Sequence, residues 1–215
     1  MSDSFFSFYA KYFILLCAVL GFYFTPKLKL YGTQNLPYFL IFLFLGECVA
    51  TLLFKYKVYY LITPLYNYVL LPAQIIFYLW LIGYKFLSKK SFAKRLVFLY
   101  LTSLVIEVFV GLVMPLNIFS KSYSLGGIML SYLVILYILQ LTKSDEVITF
   151  YKNLHFWVCI GVALYYTLSF PFYTYYNTLL NKYENIFYVY RNIIGHLSVG
   201  MYLTFIFGMI WSKKT

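Results

Sequence analysis

Long apolar runs separated by short polar segments make up almost the whole chain. Seven of these runs are long enough to form one transmembrane helix each, because the hydrocarbon core of a bilayer takes about 20 apolar residues. They cover residues 5–25, 36–54, 65–87, 96–114, 123–141, 154–176 and 186–211. The segments between them are too short for a soluble domain. The pattern predicts one all-α domain over residues 1–215, a polytopic membrane protein built as a seven-transmembrane helix bundle.

Composition agrees with a membrane protein. Hydrophobic residues make up 63% of the chain and charged residues only 11%, whereas about a quarter of the residues in soluble domains are charged. Cys17, Cys48 and Cys159 all lie inside apolar runs without the spacing of metal ligands. We expect them to be free thiols that pack as small apolar side chains.

The basic residues between the runs predict the orientation in the membrane. One side of the predicted bundle would carry Lys27, Lys29, Lys85, Lys89, Lys90, Lys94, Arg95, Lys143, Lys152, Lys213 and Lys214, and the other only Lys55, Lys57, Lys121 and Lys182. Because cytoplasmic loops are enriched in lysine and arginine, the N-terminus is expected outside and the C-terminus in the cytoplasm. We expect a multi-pass protein of a bacterial inner (cytoplasmic) membrane, whose bases face lipid headgroups and not nucleic acid.

Charged residues inside the runs are the candidates for a functional site, because each costs several kcal/mol at membrane depth. Arg191 in the last run needs an opposite charge on another helix, and the sequence offers Glu47 and Glu107. This requirement predicts that the last run organises the interior of the bundle. In the predicted orientation both glutamates, Arg191 and Lys11 fall in the outer half.

The spacing of polar and small residues predicts which helix faces are buried against protein. Ser103, Glu107 and Gly111 follow at i, i+4 and i+8, and Asn192, His196 and Gly200 repeat this spacing in the last run. Small residues at such positions let helices approach closely. The predicted polar cluster, a candidate ligand pocket, consists of Lys11, Glu47, Asn67, Gln74, Glu107, Arg191, Asn192 and His196.

Two other interpretations of these residues remain open at this point. Arg191 and one glutamate could form a structural ion pair that sets helix register and does nothing else. Alternatively, Arg191 and Lys11 could extend their long side chains to the outer headgroups. A functional pocket is favoured because two bases and two carboxylates at one depth exceed the needs of a single pair.

Several chemistries do not fit the residues present. The last run has no lysine between Asn192 and Trp211 for a retinal Schiff base, and His155 and His196 are expected at different depths, which does not suit a haem. Two histidines cannot supply a metal-hydrolase cluster. A hydrolytic triad has no aspartate within the runs. We therefore expect no enzyme activity, no cofactor and no metal.

The layout resembles a group of uncharacterised small seven-transmembrane proteins of Bacteroidetes-type bacteria. The stretches that carry the resemblance are Leu65-Tyr66-Asn67-Tyr68 followed by Ala73-Gln74-Ile75-Ile76-Phe77-Tyr78, and Arg191-Asn192-Ile193-Ile194-Gly195-His196. Because some members are encoded beside sensor histidine kinases, the resemblance implies a sensory or accessory part in a two-component system. It implies no particular ligand.

These observations together predict a receptor-like or accessory sensory protein of the membrane. We expect it to bind a small or lipidic ligand in the outer-half polar pocket and to signal through a partner such as a histidine kinase. The alternative is a small-solute transporter or channel, for which the missing internal repeat is unfavourable. A transporter would also need polar groups that continue into the cytoplasmic half.

Overall fold

The computed structural model describes residues 5–113, 119–143 and 149–213, and every regular element within these ranges is helical. We number seven main helices in chain order: α1 Phe5–Tyr23, α2 Leu36–Lys55, α3 Tyr59–Phe86, α4 Lys90–Val113, α5 Ser120–Thr142, α6 Leu154–Thr174 and α7 Glu184–Trp211. Two short helices, Thr25–Leu30 and Tyr176–Lys182, lie in the connections.

Six of these helices, α2 to α7, are long and apolar enough to cross a membrane, and α1 adds a shorter apolar stretch, Tyr9–Tyr23. The prediction of a polytopic helical membrane protein is confirmed, while the seventh span and the orientation stay predictions. Helices α3 and α4 begin six residues earlier than predicted, at Tyr59 and Lys90. Tyrosine and lysine are tolerated at the headgroup level, so the helices extend beyond the apolar run. The predicted end of the fourth run, Met114, lies outside the described residues.

Helix α3 lies at the centre of the bundle. Half of its most apolar window is buried, a larger share than in any other of the six long helices. The fully buried ring of Tyr78 packs against Tyr166 of α6 and Phe205 of α7, with ring centroids 5.8 and 6.2 Å apart. The same helix contacts α2, α4 and α5. Helix α3 is therefore the most buried of the six long helices, while α7 packs mainly against α6 and α1.

Two widened π-helical turns interrupt α3, at Leu65–Leu70 and Leu81–Phe86. The first directly precedes Leu71–Trp80, whose second residue is Pro72. Proline has no backbone N–H to donate to the carbonyl one turn earlier, and its ring clashes with that carbonyl. A π turn relieves this clash by widening the helix, and such turns are frequent near functional sites.

Close packing of α5, α6 and α7 forms the rest of the core, with α1 contacting both α2 and α7. Gly161 of α6 shows how near α6 and α7 approach. A Cβ atom placed there would lie 3.0 Å from the carbonyl oxygen of Met201 and 2.7 Å from the Phe205 ring. Only a residue without a side chain allows this distance between the helices.

Hydrogen bonds and ring stacking join the connections at the lysine-rich end of the bundle to the ends of the helices. Lys27 donates hydrogen bonds to the carbonyls of Met209 and Ile210 at 2.6 and 3.2 Å, at the C-terminus of α7. A cation there satisfies free carbonyls and the helix dipole. The His155 ring stacks on Phe86 at 4.0 Å, and its Nε2 lies 2.8 Å from the Tyr31 carbonyl oxygen. His155 thus has an interfacial structural role.

Candidate functional site

A cavity of about 440 Å³ lies between α1, α2, α3, α6 and α7. Four residues of the predicted polar cluster line it: Lys11, Glu47, Gln74 and Arg191. The remaining polar lining comes from Thr63, Tyr66, Tyr165, Tyr173, Tyr176, Ser198 and Tyr202. The structure therefore brings together side chains from five helices in a mixed polar and aromatic cavity.

Glu47 is held in place by its neighbours in this cavity. The Tyr66 hydroxyl donates a hydrogen bond of 2.8 Å to Glu47 Oε2. The Lys11 ammonium donates to Thr51 Oγ1 at 3.3 Å, and Thr51 in turn donates to the Glu47 backbone carbonyl at 2.8 Å. Lys11 is also near enough to act electrostatically on the carboxylate. A tyrosine and a lysine thus stabilise the negative charge.

Arg191 lines the same cavity and has no ion-pair partner among the described residues. Within the described ranges, no carboxylate lies at ion-pair distance from its guanidinium. The ion pair with Glu47 or Glu107 that the sequence suggested is not formed. Instead, the guanidinium acts electrostatically on Tyr66 and Tyr176. The Tyr66 hydroxyl therefore interacts with both charges, the carboxylate by a hydrogen bond and the guanidinium at longer range.

Glu107 does not join this group. Its side chain is only 4% exposed and accepts hydrogen bonds from the backbone amides of Lys121 at 3.0 Å and Ser122 at 2.6 Å, and from the Ser122 hydroxyl. These groups form the first turn of α5, where backbone amides have no partner within the helix. A carboxylate satisfies them and the positive end of the helix dipole. Glu107 is therefore a cap for α5.

Asn67 has a related role and also lies outside the lining of the cavity. Its buried side-chain Oδ1 accepts a hydrogen bond of 3.2 Å from the backbone amide of Phe119, the residue before α5. Asn67 from α3 and Glu107 from α4 thus both accept hydrogen bonds from backbone amides at the start of α5. Asn67 and Glu107 were both predicted in the polar cluster, whereas the structure places their side chains against the start of α5.

Asn192 and His196 are exposed, and neither lines the cavity. His196 Nδ1 lies 2.7 Å from the Asn192 carbonyl oxygen, a contact within its own helix. At Gly200 an added Cβ atom would meet nothing within 4 Å. The prediction that these three residues face protein is wrong. The face of α7 that lines the cavity is rotated by one position and carries Arg191, Ile194, Ser198 and Tyr202.

The predicted polar cluster contains none of the five tyrosines that line the cavity. Tyr165 and Phe172 lie seven residues apart on α6, a spacing that places them on one helix face. Tyr173 and Tyr176 continue the lining at the end of α6 and the start of the short helix that follows. In so aromatic a chain this signal was lost among interfacial and lipid-facing rings. Gln74 contacts the same region, since Tyr166 donates a hydrogen bond of 3.3 Å to its side-chain oxygen.

The residues one turn deeper on three helices are packed side chains that do not line the cavity. Tyr78 follows Gln74 on α3, Cys17 follows Ile14 on α1, and Phe205 follows Tyr202 on α7. All three have no exposed surface. Along these helices the polar lining therefore gives way to packed core.

Comparisons with protein-family models, with curated proteins and with solved structures found no match to this chain. Among the described residues, no group of three or more histidine, cysteine, aspartate or glutamate side chains is arranged to hold a metal ion. The chemistry of the site therefore has to be inferred from the cavity itself.

Proposed function

We propose that this protein is a receptor-like sensory membrane protein that binds a small amphipathic ligand with an anionic group in the cavity around Arg191. The observation that carries the proposal is an accessible guanidinium in a cavity of ligand size, without a carboxylate partner among the described residues. Drug-sized ligands occupy cavities of about 300–1,000 Å³ with mostly apolar walls and a few polar groups.

The lining supports an anionic and partly apolar ligand. Arg191 and Lys11 supply two positive charges, while Glu47 is already engaged by Tyr66. Arginine binds carboxylate and phosphate groups through two parallel hydrogen bonds, which favours an anionic head over a neutral one. Phe172, Phe187 and the tyrosine rings provide apolar walls for the remainder of the ligand.

Binding is favoured over transport by the packing below the cavity. A transport path needs polar groups that continue through the protein, whereas Tyr78, Cys17 and Phe205 are fully buried where the lining ends on their helices. Opening a path there would require repacking of the centre of the bundle. Solute transport is therefore the second candidate and an outcome of the test below.

A signal would have to leave the protein through a partner, since the connections carry little mass. We propose a membrane partner such as a sensor histidine kinase, supported by the resemblance described above. The connections at the lysine-rich end are fixed by contacts such as those of Lys27 with the end of α7. We propose that such a partner binds to this surface. A bacterial inner membrane is proposed on the same grounds.

The test uses the full-length protein in lipid nanodiscs with decanoate, decylamine and decanol as probes. We expect only decanoate to raise the unfolding temperature, because a ligand at a hundredfold excess over its Kd adds about 2.7 kcal/mol to stability. Arg191→Met should weaken decanoate binding by roughly tenfold to a hundredfold, the value of a charge-assisted hydrogen bond. The control is Arg95→Met, which removes an exposed arginine on α4 that does not line the cavity.

Three outcomes would overturn the receptor proposal. One is an equal response to all three probes, and another is an equal loss in Arg191→Met and Arg95→Met. The third is flux of decanoate through liposomes that contain the protein, at a rate reduced by Arg191→Met. That last result would instead support the transporter.

A further inference from the structure

A second concave site lies on the outside of the bundle, away from the cavity around Arg191. It is a groove of about 750 Å³ between α2, α3 and α4. Its walls are apolar or aromatic, with Phe39 and Phe42 on α2 and Ala73, Phe77, Trp80 and Tyr84 on α3. Its single charged side chain is Lys94 of α4. The rings of Phe39 and Phe77 stack at 3.8 Å and connect two of its walls.

Positive charges gather at one end of this groove. Lys94 is part of the lining and is exposed. The Lys85 ammonium lies 5.5 Å from the centre of the Trp80 ring, and the Lys90 ammonium lies 5.1 Å from the centre of the Tyr84 ring. Trp80 and Tyr84 are themselves wall residues. Three lysines and two aromatic rings thus surround the end nearest the connection between α3 and α4.

The other end of the groove is apolar and deeper in the bilayer. Ala73 and Tyr84 mark its extent along α3, and the helical rise of 1.5 Å per residue gives a length of about 16 Å. This is about half of the roughly 30 Å hydrocarbon core, the depth of one leaflet. The groove is therefore long enough for the acyl chain of one lipid, with its headgroup at the lysines.

We propose that this groove is a binding site for an anionic phospholipid of the leaflet at the lysine-rich end. The acyl chain lies along Phe42, Ala73 and Phe77, and the phosphate faces Lys94, with Lys85 and Lys90 beside it. Basic clusters at the membrane surface attract anionic lipid by about 1 kcal/mol per lysine. Trp80 and Tyr84 occupy the headgroup level, where such amphipathic rings are enriched.

The proposal is tested by native mass spectrometry of the full-length protein with phosphatidylglycerol and phosphatidylcholine of identical acyl chains. The wild-type protein should retain phosphatidylglycerol in preference to phosphatidylcholine. Lys94→Gln should lower this preference by about fivefold, which corresponds to one surface lysine. The matched control is Lys29→Gln, which removes an exposed lysine at the same end of the bundle but outside the groove.

A second variant tests the groove itself. Ala73→Trp places a large ring where the acyl chain would lie and should reduce retention of both lipids. All variants are first compared with the wild type by helix content and by elution as a single species. Equal retention of the two lipids by the wild type, equal effects of Lys94→Gln and Lys29→Gln, or unchanged retention in a folded Ala73→Trp would each overturn the proposal.

Discussion

Two glutamates of this chain have the same sequence context and different roles. Glu47 and Glu107 each lie inside an apolar run at similar predicted depth. In the structure Glu47 lines the cavity and accepts a hydrogen bond from the Tyr66 hydroxyl. Glu107 instead accepts hydrogen bonds from the start of α5. The difference arises because a helix start near Glu107 presents free amides, and a buried carboxylate binds the nearest strong donors. A carboxylate inside an apolar run can therefore be stabilised by hydrogen bonds from a helix start as well as by a positively charged side chain.

We expect Glu107→Gln to destabilise the protein by about 2 kcal/mol, because a neutral amide cannot replace a charged acceptor of three hydrogen bonds. Thermal unfolding in detergent measures the change. Glu184→Gln is the control, since Glu184 is exposed and its hydrogen bond to Tyr188 is 3.3 Å long. That variant should stay within about 0.5 kcal/mol of the wild type. Rescue of Glu107→Arg by Arg191→Glu would contradict the cap and favour a direct ion pair.

At the level of single helices, spacing alone did not identify the buried face. The pattern of Asn192, His196 and Gly200 is as regular as that of Ser103, Glu107 and Gly111, yet only the second lies against protein. On α4 the fully packed positions Ala93, Tyr100 and Glu107 recur every seven residues. On α7 the residues of the other pattern do not line the cavity, and His196 Nδ1 contacts a backbone carbonyl of its own helix. The sequence of α7 was thus compatible with burial of either of two neighbouring helix faces.

The glycines of α6 and α7 test this assignment of faces. Gly161→Ala should destabilise the protein by about 1–3 kcal/mol, because the new methyl group meets the Met201 carbonyl and the Phe205 ring. Gly200→Ala should leave stability unchanged or raise it by up to about 1 kcal/mol, since alanine is the better helix former and the position is open. Thermal unfolding distinguishes the two. If Gly200→Ala destabilised the protein more than Gly161→Ala, the buried face assigned to α7 would be wrong.

At the level of the whole molecule, the central position of α3 explains both concave sites. One side of this helix presents Tyr66 and Gln74 to the cavity, and another presents Ala73, Phe77 and Trp80 to the groove. The π turn before Pro72 contains Tyr66, one of the residues that line the cavity. A ligand in the cavity and a lipid in the groove would therefore contact the same helix.

The orientation of the whole bundle is testable with an impermeant maleimide on intact cells. In a Cys48→Ala background, Lys57→Cys should be labelled from outside and Lys29→Cys only after permeabilisation, because the side with more lysines is expected in the cytoplasm. Both positions are exposed, while Cys17 and Cys159 are buried and should not react. Labelling of Lys29→Cys in intact cells would reverse the predicted topology. Equal labelling of both would contradict a membrane crossing by α2, the one helix between the two positions.

The apolar runs by themselves determined that this is a helical membrane protein, and nearly where its helices begin and end. The reason is that the hydrocarbon core sets helix length and excludes unsatisfied backbone groups. The sequence also singled out Glu47, Glu107 and Arg191 as charged residues inside apolar runs. Only the tertiary structure decided their neighbours: Tyr66 for Glu47, the first turn of α5 for Glu107, and a cavity for Arg191. In a chain this rich in apolar residues, several rotations of a helix bury similar surface, so contacts between distant helices settle which side chains meet.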